Sequence, residues 1–277
     1  MRTRGVEGRP PPVAKPVRIQ AIPIALVFAA LSVSRPLPLP VPHAPAAASI
    51  SYGAWGAGYQ ADAPKGQRFT EVLAEFIAPK YAPPPPVSGV SWMGVWGGIG
   101  LGATPTNDLM QDGIFEGMQP GVFGYSIMAP WWINEPSTPP TEPHVLYSLT
   151  IRPGDTVLSI AKQAGPRAWS FDVEDVTTGQ KASGSCTDCY TGGHTVAWIL
   201  EDPMSGSTLA QTNYADPATV VFLKAEASLG HGLVPLGKLN WHPVLREATG
   251  QVEKPAAAPA KDGAFTIKRF DVPAAKG

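Results

Sequence analysis

Charge is scarce in this chain. Only 16% of its 277 residues are Asp, Glu, Lys or Arg, and the formal net charge is −1, where a typical soluble domain is about 25% charged. No basic field exists to attract a phosphate backbone, so nucleic acid is not an expected partner. Few charges also suit a protein that works in acid, because a carboxylate that relies on a charged partner loses it on protonation. Cysteine is almost absent: Cys186 and Cys189, in Cys-Thr-Asp-Cys, are the only two. In an exported chain that spacing reads as a small local disulfide. A zinc site would need two further ligands, and apart from His194 the histidines are scattered (His43, His144, His231, His242), so no metal is expected. A thioredoxin-like role would need a βαβ setting that is missing.

Long apolar runs are missing too. The run Ala21–Val33 (AIPIALVFAALSV) has 13 residues, too short for a membrane span of about 20 residues. Arg2, Arg4, Lys15 and Arg18 precede it, and Ala46-Ala47-Ala48 follows as a small-residue cleavage site. This is the order of a secretory signal; the plain alternative is an uncleaved Pro-rich arm. A secreted or periplasmic protein is expected, a monomer without stable membrane association once the signal is removed.

What the chain has in excess is 29 Gly and 32 Pro, together more than a fifth of it. That composition disfavours long helices, and no amphipathic helix of useful length is legible. A hydrophobic content of 44% still supports a core. Short β-type segments recur between turn signals: Phe69–Pro79, Val90–Trp96, Leu146–Ile151 with Thr156–Ala161 as its hairpin partner, Trp169–Glu174, Thr195–Asp202 and Thr219–Lys224. Trp169, Phe171 and Val173 alternate onto one face, and Thr177-Thr178-Gly179-Gln180 reads as the following turn. The pattern predicts an all-β fold, an antiparallel β-sandwich. Three stretches are expected: a signal and Pro/Ala-rich segment over 1–48, the sandwich over 49–227, and a low-complexity extension over 228–277. Within the extension, Lys254–Lys261 reads as a linker and Phe265–Phe270 as either one added edge strand or a tail without structure.

Two short segments carry chemistry. Ala197-Trp198-Ile199-Leu200-Glu201-Asp202-Pro203 ends an apolar strand in a carboxylate. Alternation puts Ala197, Ile199 and Glu201 on one face, and Trp198 and Leu200 on the other, between the sheets. Leu109-Met110-Gln111-Asp112-Gly113 offers an amide in a similar setting. Taken alone, a Glu-Asp at a strand end is usually a solvated turn, and a lone Gln a surface residue.

In order along the chain, five segments resemble the glutamic peptidase (eqolisin) family. Phe69–Pro79 looks like its first core strand. Trp92-Met93-Gly94-Val95-Trp96-Gly97 is similar to its Trp-x-Gly-Ile-Asp-Gly motif. Leu109–Gly113 is similar to the Leu-Gln-Thr-Gly motif that carries the catalytic Gln. Glu174–Gln180 and Ala197–Asp202 are similar to its later hairpin and its catalytic Glu strand. The likeness spans roughly residues 52–225. It implies a sandwich of two curved antiparallel sheets (concanavalin-like, jelly-roll type) and a peptidase acting on proteins or peptides without cofactor, with Gln111 and Glu201 as the catalytic pair. It also implies Trp55, Trp92, Trp131, Trp132 and Glu135 as candidates around the substrate. Departures are specific: Trp96 stands where the motif has Asp, Phe115 stands where a later Asp falls, and Trp131–Pro136 has no carboxylate in register unless Glu135 serves.

The chemistry needs no more than the pair. A carboxylate can take a proton from water and return it to the leaving nitrogen, and at acid pH a carboxyl group is the base that remains. A neutral Gln offers both a donor and an acceptor at any pH, so it can position the water and donate to the oxyanion. The competing expectation is a non-catalytic peptide- or carbohydrate-binding sandwich whose aromatics form a platform. The rebuilt surround of the pair favours it; the presence of both Gln111 and Glu201 favours the peptidase.

Overall fold

The computed structural model describes residues 51–52, 56–79, 91–100, 109–119, 123–135, 144–189, 191–201, 219–248 and 251–271. The expected signal segment and Trp55 lie outside them. Among the described residues sixteen strands run in chain order: β1 (Ser51–Tyr52), β2 (Gly56–Asp62), β3 (Glu71–Ile77), β4 (Ser91–Ile99), β5 (Leu109–Gln119), β6 (Phe123–Glu135), β7 (His144–Val145) and β8 (Thr156–Gly165). They continue as β9 (Ala168–Asp175), β10 (Gln180–Cys186), β11 (Thr195–Glu201), β12 (Thr219–Ser228), β13 (Leu233–Pro235), β14 (Asn240–Ala248), β15 (Gln251–Pro255) and β16 (Phe265–Asp271). One short 3-10 turn, Leu236–Lys238, is the sole helical element among the described residues, and no helix there is long and apolar enough to cross a membrane.

The strands form two sheets joined at one strand. The first has the order β14-β2-β11-β4-β5-β6-β7, the second β10-β9-β8-β3-β12-β16-β15-β14. Strand β14 belongs to both: Asn240–Val244 pairs with β2, and Arg246–Ala248 pairs with β15. A strand that changes sheets makes the corner of a sandwich. Except for the two-residue parallel pairing of β1 with β14, every ladder among the described residues is antiparallel, as the strand pattern predicts.

The core lies between the sheets. Val95, Trp198 and Leu200 of the first sheet meet Val72, Ala74, Phe171 and Val173 of the second. Trp198 is fully buried, and its indole N–H donates to the Leu73 carbonyl 2.8 Å away in the second sheet. A buried indole needs that partner. The alternation expected for Trp169, Phe171 and Val173 holds; all three are buried. The turn after them closes as expected, with Asp175 accepting from the Thr177 and Thr178 amides and Gly179 at φ 73°.

Two expectations are corrected. Leu146–Ile151 is not a strand. Leu149 and Ile151 are buried as plugs of an irregular segment, so their apolar character reflects anchoring, not pairing. The strand expected to be its hairpin partner, β8, pairs with β3 and β9. Residues 228–271 are not an extension. They supply β13 to β16, and β16 and β15 bridge β12 to β14. Phe265 stacks on Phe222 at 4.5 Å, and Tyr59 donates its hydroxyl to the Ala257 carbonyl at 2.6 Å. Phe265–Phe270, expected as an edge strand or a tail, lies in β16, which is paired on both sides, and the expected linker Lys254–Lys261 begins inside β15.

Candidate active site

The two sheets differ in their outer faces. The second carries cross-strand ion pairs, Lys162 with Glu71 at 3.2 Å and Lys181 with Glu174 at 2.7 Å, which is the usual solvated face of an antiparallel sheet. The first has no such face around β11, where every residue from Thr195 to Leu200 is buried on both sides. Its outer face holds a separate apolar cluster of Trp96, Leu109, Trp131, Ala197, Ile199 and Val244.

Gln111 and Glu201 project from this face. Strand β4 lies between their strands, and direct cross-strand partners share a face. Gln111 stands opposite Gly98 of β4, and Glu201 stands opposite Gly94. The two are thus four residues out of step along β4, with Trp96 at the midpoint. Gln111 is buried, 5% exposed, and its Oε1 meets no hydrogen-bond partner among the described residues. A buried acceptor left unpaired costs free energy, so it marks a place for a donor from solvent or substrate. Trp131, 3% exposed, stands opposite Gly113 on the same face. Its Nε1 is likewise buried without a partner.

Glycine makes room for this arrangement. A Cβ at Gly98 would fall 2.9 Å from Cζ3 of Trp96 and 3.1 Å from Cβ of Gln111. A Cβ at Gly94 would fall 3.3 Å from Cδ1 of Trp96, 3.7 Å from Cζ2 of Trp131 and 3.9 Å from Cβ of Glu201. The Trp96 ring therefore lies along β4 from one glycine to the other, and its Nε1–H donates to Oε2 of Glu201 at 2.7 Å.

The other sequence candidates separate. Trp132 does not share the face of Trp131. It pairs with Asp112 and points into the inter-sheet core, stacked between His144 at 4.0 Å and Phe171 at 4.5 Å. Its indole lies so close to Gly184 of β10 that a Cβ there would be 2.3 Å from Nε1. Period-two alternation sends adjacent residues to opposite faces, so only one of the two tryptophans can line the site. Of Trp92 and Glu135 only the backbone is described, in register with Gly117 and Leu109. Cys186 and Cys189 are disulfide-bonded.

Asp112, the residue after Gln111, faces the other way, in register with Trp132. It is fully buried between the sheets. Burial pushes its carboxyl well above the usual carboxylate range; the Ser159 hydroxyl opposes the shift, Asp172 adds to it, and the Ile160 backbone opposes it. Neither Ser159 nor Ile160 reaches hydrogen-bonding geometry with Asp112: both Asp112 oxygens and Ser159 Oγ are buried without a partner among the described residues. The signal was available: the residue after an outward Gln111 must face inward.

The model of the Peptidase A4 family matches residues 54–247, well over half of the chain. This chain belongs to the Peptidase A4 family. It is accordingly a glutamic-type endopeptidase that acts on peptides or proteins, in a family whose members are extracellular. Solved structures agree on the fold. Scytalido-glutamic peptidase bound to a transition state analog inhibitor is similar with a TM-score of 0.57 and 17% identity, covering 79% of this chain and 98% of that one. Aspergilloglutamic peptidase from Aspergillus niger is similar with a TM-score of 0.51 and 22% identity, covering 65% and 99%. No curated protein matches the sequence.

Proposed function

We propose that this Peptidase A4 member cleaves peptide bonds in acid with Glu201 and Gln111 as its catalytic pair. Glu201 takes a proton from water, and the resulting hydroxide equivalent adds to the peptide carbonyl. Gln111 holds that water through Oε1 and donates from its amide nitrogen to the oxyanion. Collapse breaks the C–N bond, and the proton on Glu201 passes to the leaving nitrogen. One donor aimed at an oxyanion contributes roughly 3–4 kcal/mol to the transition state. The observation that carries this reading is Gln111 Oε1, buried and unpartnered on the sheet face that bears Glu201.

Trp131 borders the pair on the same face, and its buried indole N–H, without a partner among the described residues, is a candidate donor to a peptide carbonyl. Trp55, Trp92 and Glu135 are further candidates around the substrate. The protein is secreted through its N-terminal signal and acts as a monomer, with Cys186–Cys189 formed after export. No metal and no covalent intermediate enters.

The test is cleavage of an unfolded protein substrate from strongly acid to neutral pH. Activity confined to acid and lost in Glu201→Gln is the expected result; unchanged activity in that variant sinks the mechanism. A second reading, a peptide- or carbohydrate-binding sandwich, is favoured by the Trp96 ring lying between the two side chains. It is the outcome if no proteolysis is seen at any pH while an unfolded peptide or an oligosaccharide still binds.

A further inference from the structure

We propose that Trp96 is a positioning residue for Glu201, its indole N–H orienting the carboxylate and favouring its ionised form. The inference rests on the peptidase reading above and adds a residue to it. The Nε1–Oε2 distance of 2.7 Å is that of a charge-assisted hydrogen bond. The donor is rigid: Trp96 is fully buried, and its ring is seated over Gly94 and Gly98, where a Cβ would stand 3.3 Å and 2.9 Å from it. An indole so held cannot swing away from the carboxylate without displacing Ile199, its cross-strand partner on the strand that carries Glu201. It also does not titrate. A carboxyl donor in the same place would lose its proton as pH rises, whereas the indole N–H offers one constant donor across the working range.

Packing alone does not explain the contact. A phenylalanine would fill most of the same channel, but would present carbon to Glu201. Among the described side chains, β2 contributes Asp62 and β14 contributes His242, which lie within 3.8 Å of each other. Asp62 pairs in register with Thr195, at the opposite end of β11 from Glu201. The described face positions of β4, β5 and β6 are Gly94, Trp96, Gly98, Leu109, Gln111, Gly113, Phe115 and Trp131, none of which titrates. Trp96 is thus the group through which the fold acts on Glu201 from β4.

The experiment uses the full chain and two readouts. In wild-type protein, one indole 15N–1H resonance is expected to shift with pH in the acid range, with the midpoint of the acid limb of kcat/KM, and to stop titrating in Glu201→Gln. In Trp96→Phe, loss of a hydrogen bond to a charged group moves that acid limb up by about one to two pH units. kcat falls by roughly tenfold or more while KM stays within about twofold. A folded Trp96→Phe with the wild-type pH profile overturns the proposal. If that variant does not fold, the resonance decides: an indole shift that ignores pH overturns it equally. Should the wild type show no proteolysis, the peptidase reading falls, while the indole titration still tests the Trp96–Glu201 link by itself.

Discussion

Gln111 and Glu201 flank strand β4 on one face of the first sheet, opposite Gly98 and Gly94, with the Trp96 indole laid between them. The pair is ninety positions apart in sequence and is brought to this face by two neighbouring ladders.

Removing either member separates chemistry from folding. Glu201→Gln is expected to lower kcat by at least about 10³-fold, and Gln111→Ala by about 10²–10³-fold. Thermal midpoints of both variants should stay close to wild type, because neither side chain holds the sheets together. Steady-state kinetics in acid, with a melting curve for each variant, checks this.

The two adjacent tryptophans should respond in opposite ways. Trp131→Phe leaves an aromatic body but removes the unpartnered N–H, so substrate turnover falls while stability changes little. Trp132→Ala removes a ring stacked on His144 and Phe171 and costs about 3–5 kcal/mol of stability. Gly184→Ala should destabilise by about 1–3 kcal/mol through the same contact, with KM unchanged. Denaturant melts and kinetics on the three variants distinguish the roles.

Asp112 makes stability depend on pH in a definite direction. Its folded pKa is raised by burial above the ordinary 3.8, so the folded protein holds a proton that the unfolded chain has released. Stability is therefore full below about pH 4 and is lost as pH rises through the raised folded value. The wild-type melting temperature should fall from acid toward neutral pH, and Asp112→Asn should flatten that fall. A variant that keeps the full wild-type slope would assign the effect to other groups.

Truncation after Ser228 should give a chain that does not fold. It removes β14, which links the two sheets, and β15 and β16, which fill the gap between β12 and β14. The exposed edges of β12 and β2 would then template aggregation. Circular dichroism and solubility of the truncated protein against full length give the answer.

Much of this was legible in residue order. The strand ending in Glu201, the face shared by Ala197, Ile199 and Glu201, and the alternation of Trp169, Phe171 and Val173 follow from period two. Leu146–Ile151 misled because an apolar segment looks the same whether it pairs or merely plugs the core. The central place of the strands after Ser228 is not legible because β14 pairs with β2 and β16 with β12, far back in the chain, and the Ala/Pro stretch between β15 and β16 reads as linker. Trp132 was offered for the site because likeness in sequence does not say which of two adjacent tryptophans faces out.

Residue order alone carries the class of fold and the likeness to the family, and it picks out Gln111 and Glu201 as candidates, since each is written in local alternation and ordered motifs. What surrounds them follows from the packing of the two sheets. That Trp96 donates to Glu201, that Asp112 is shut between the sheets and that Trp131 rather than Trp132 borders the pair all depend on register between strands distant in the chain. Register is set by how the whole sandwich packs, and no single segment contains it.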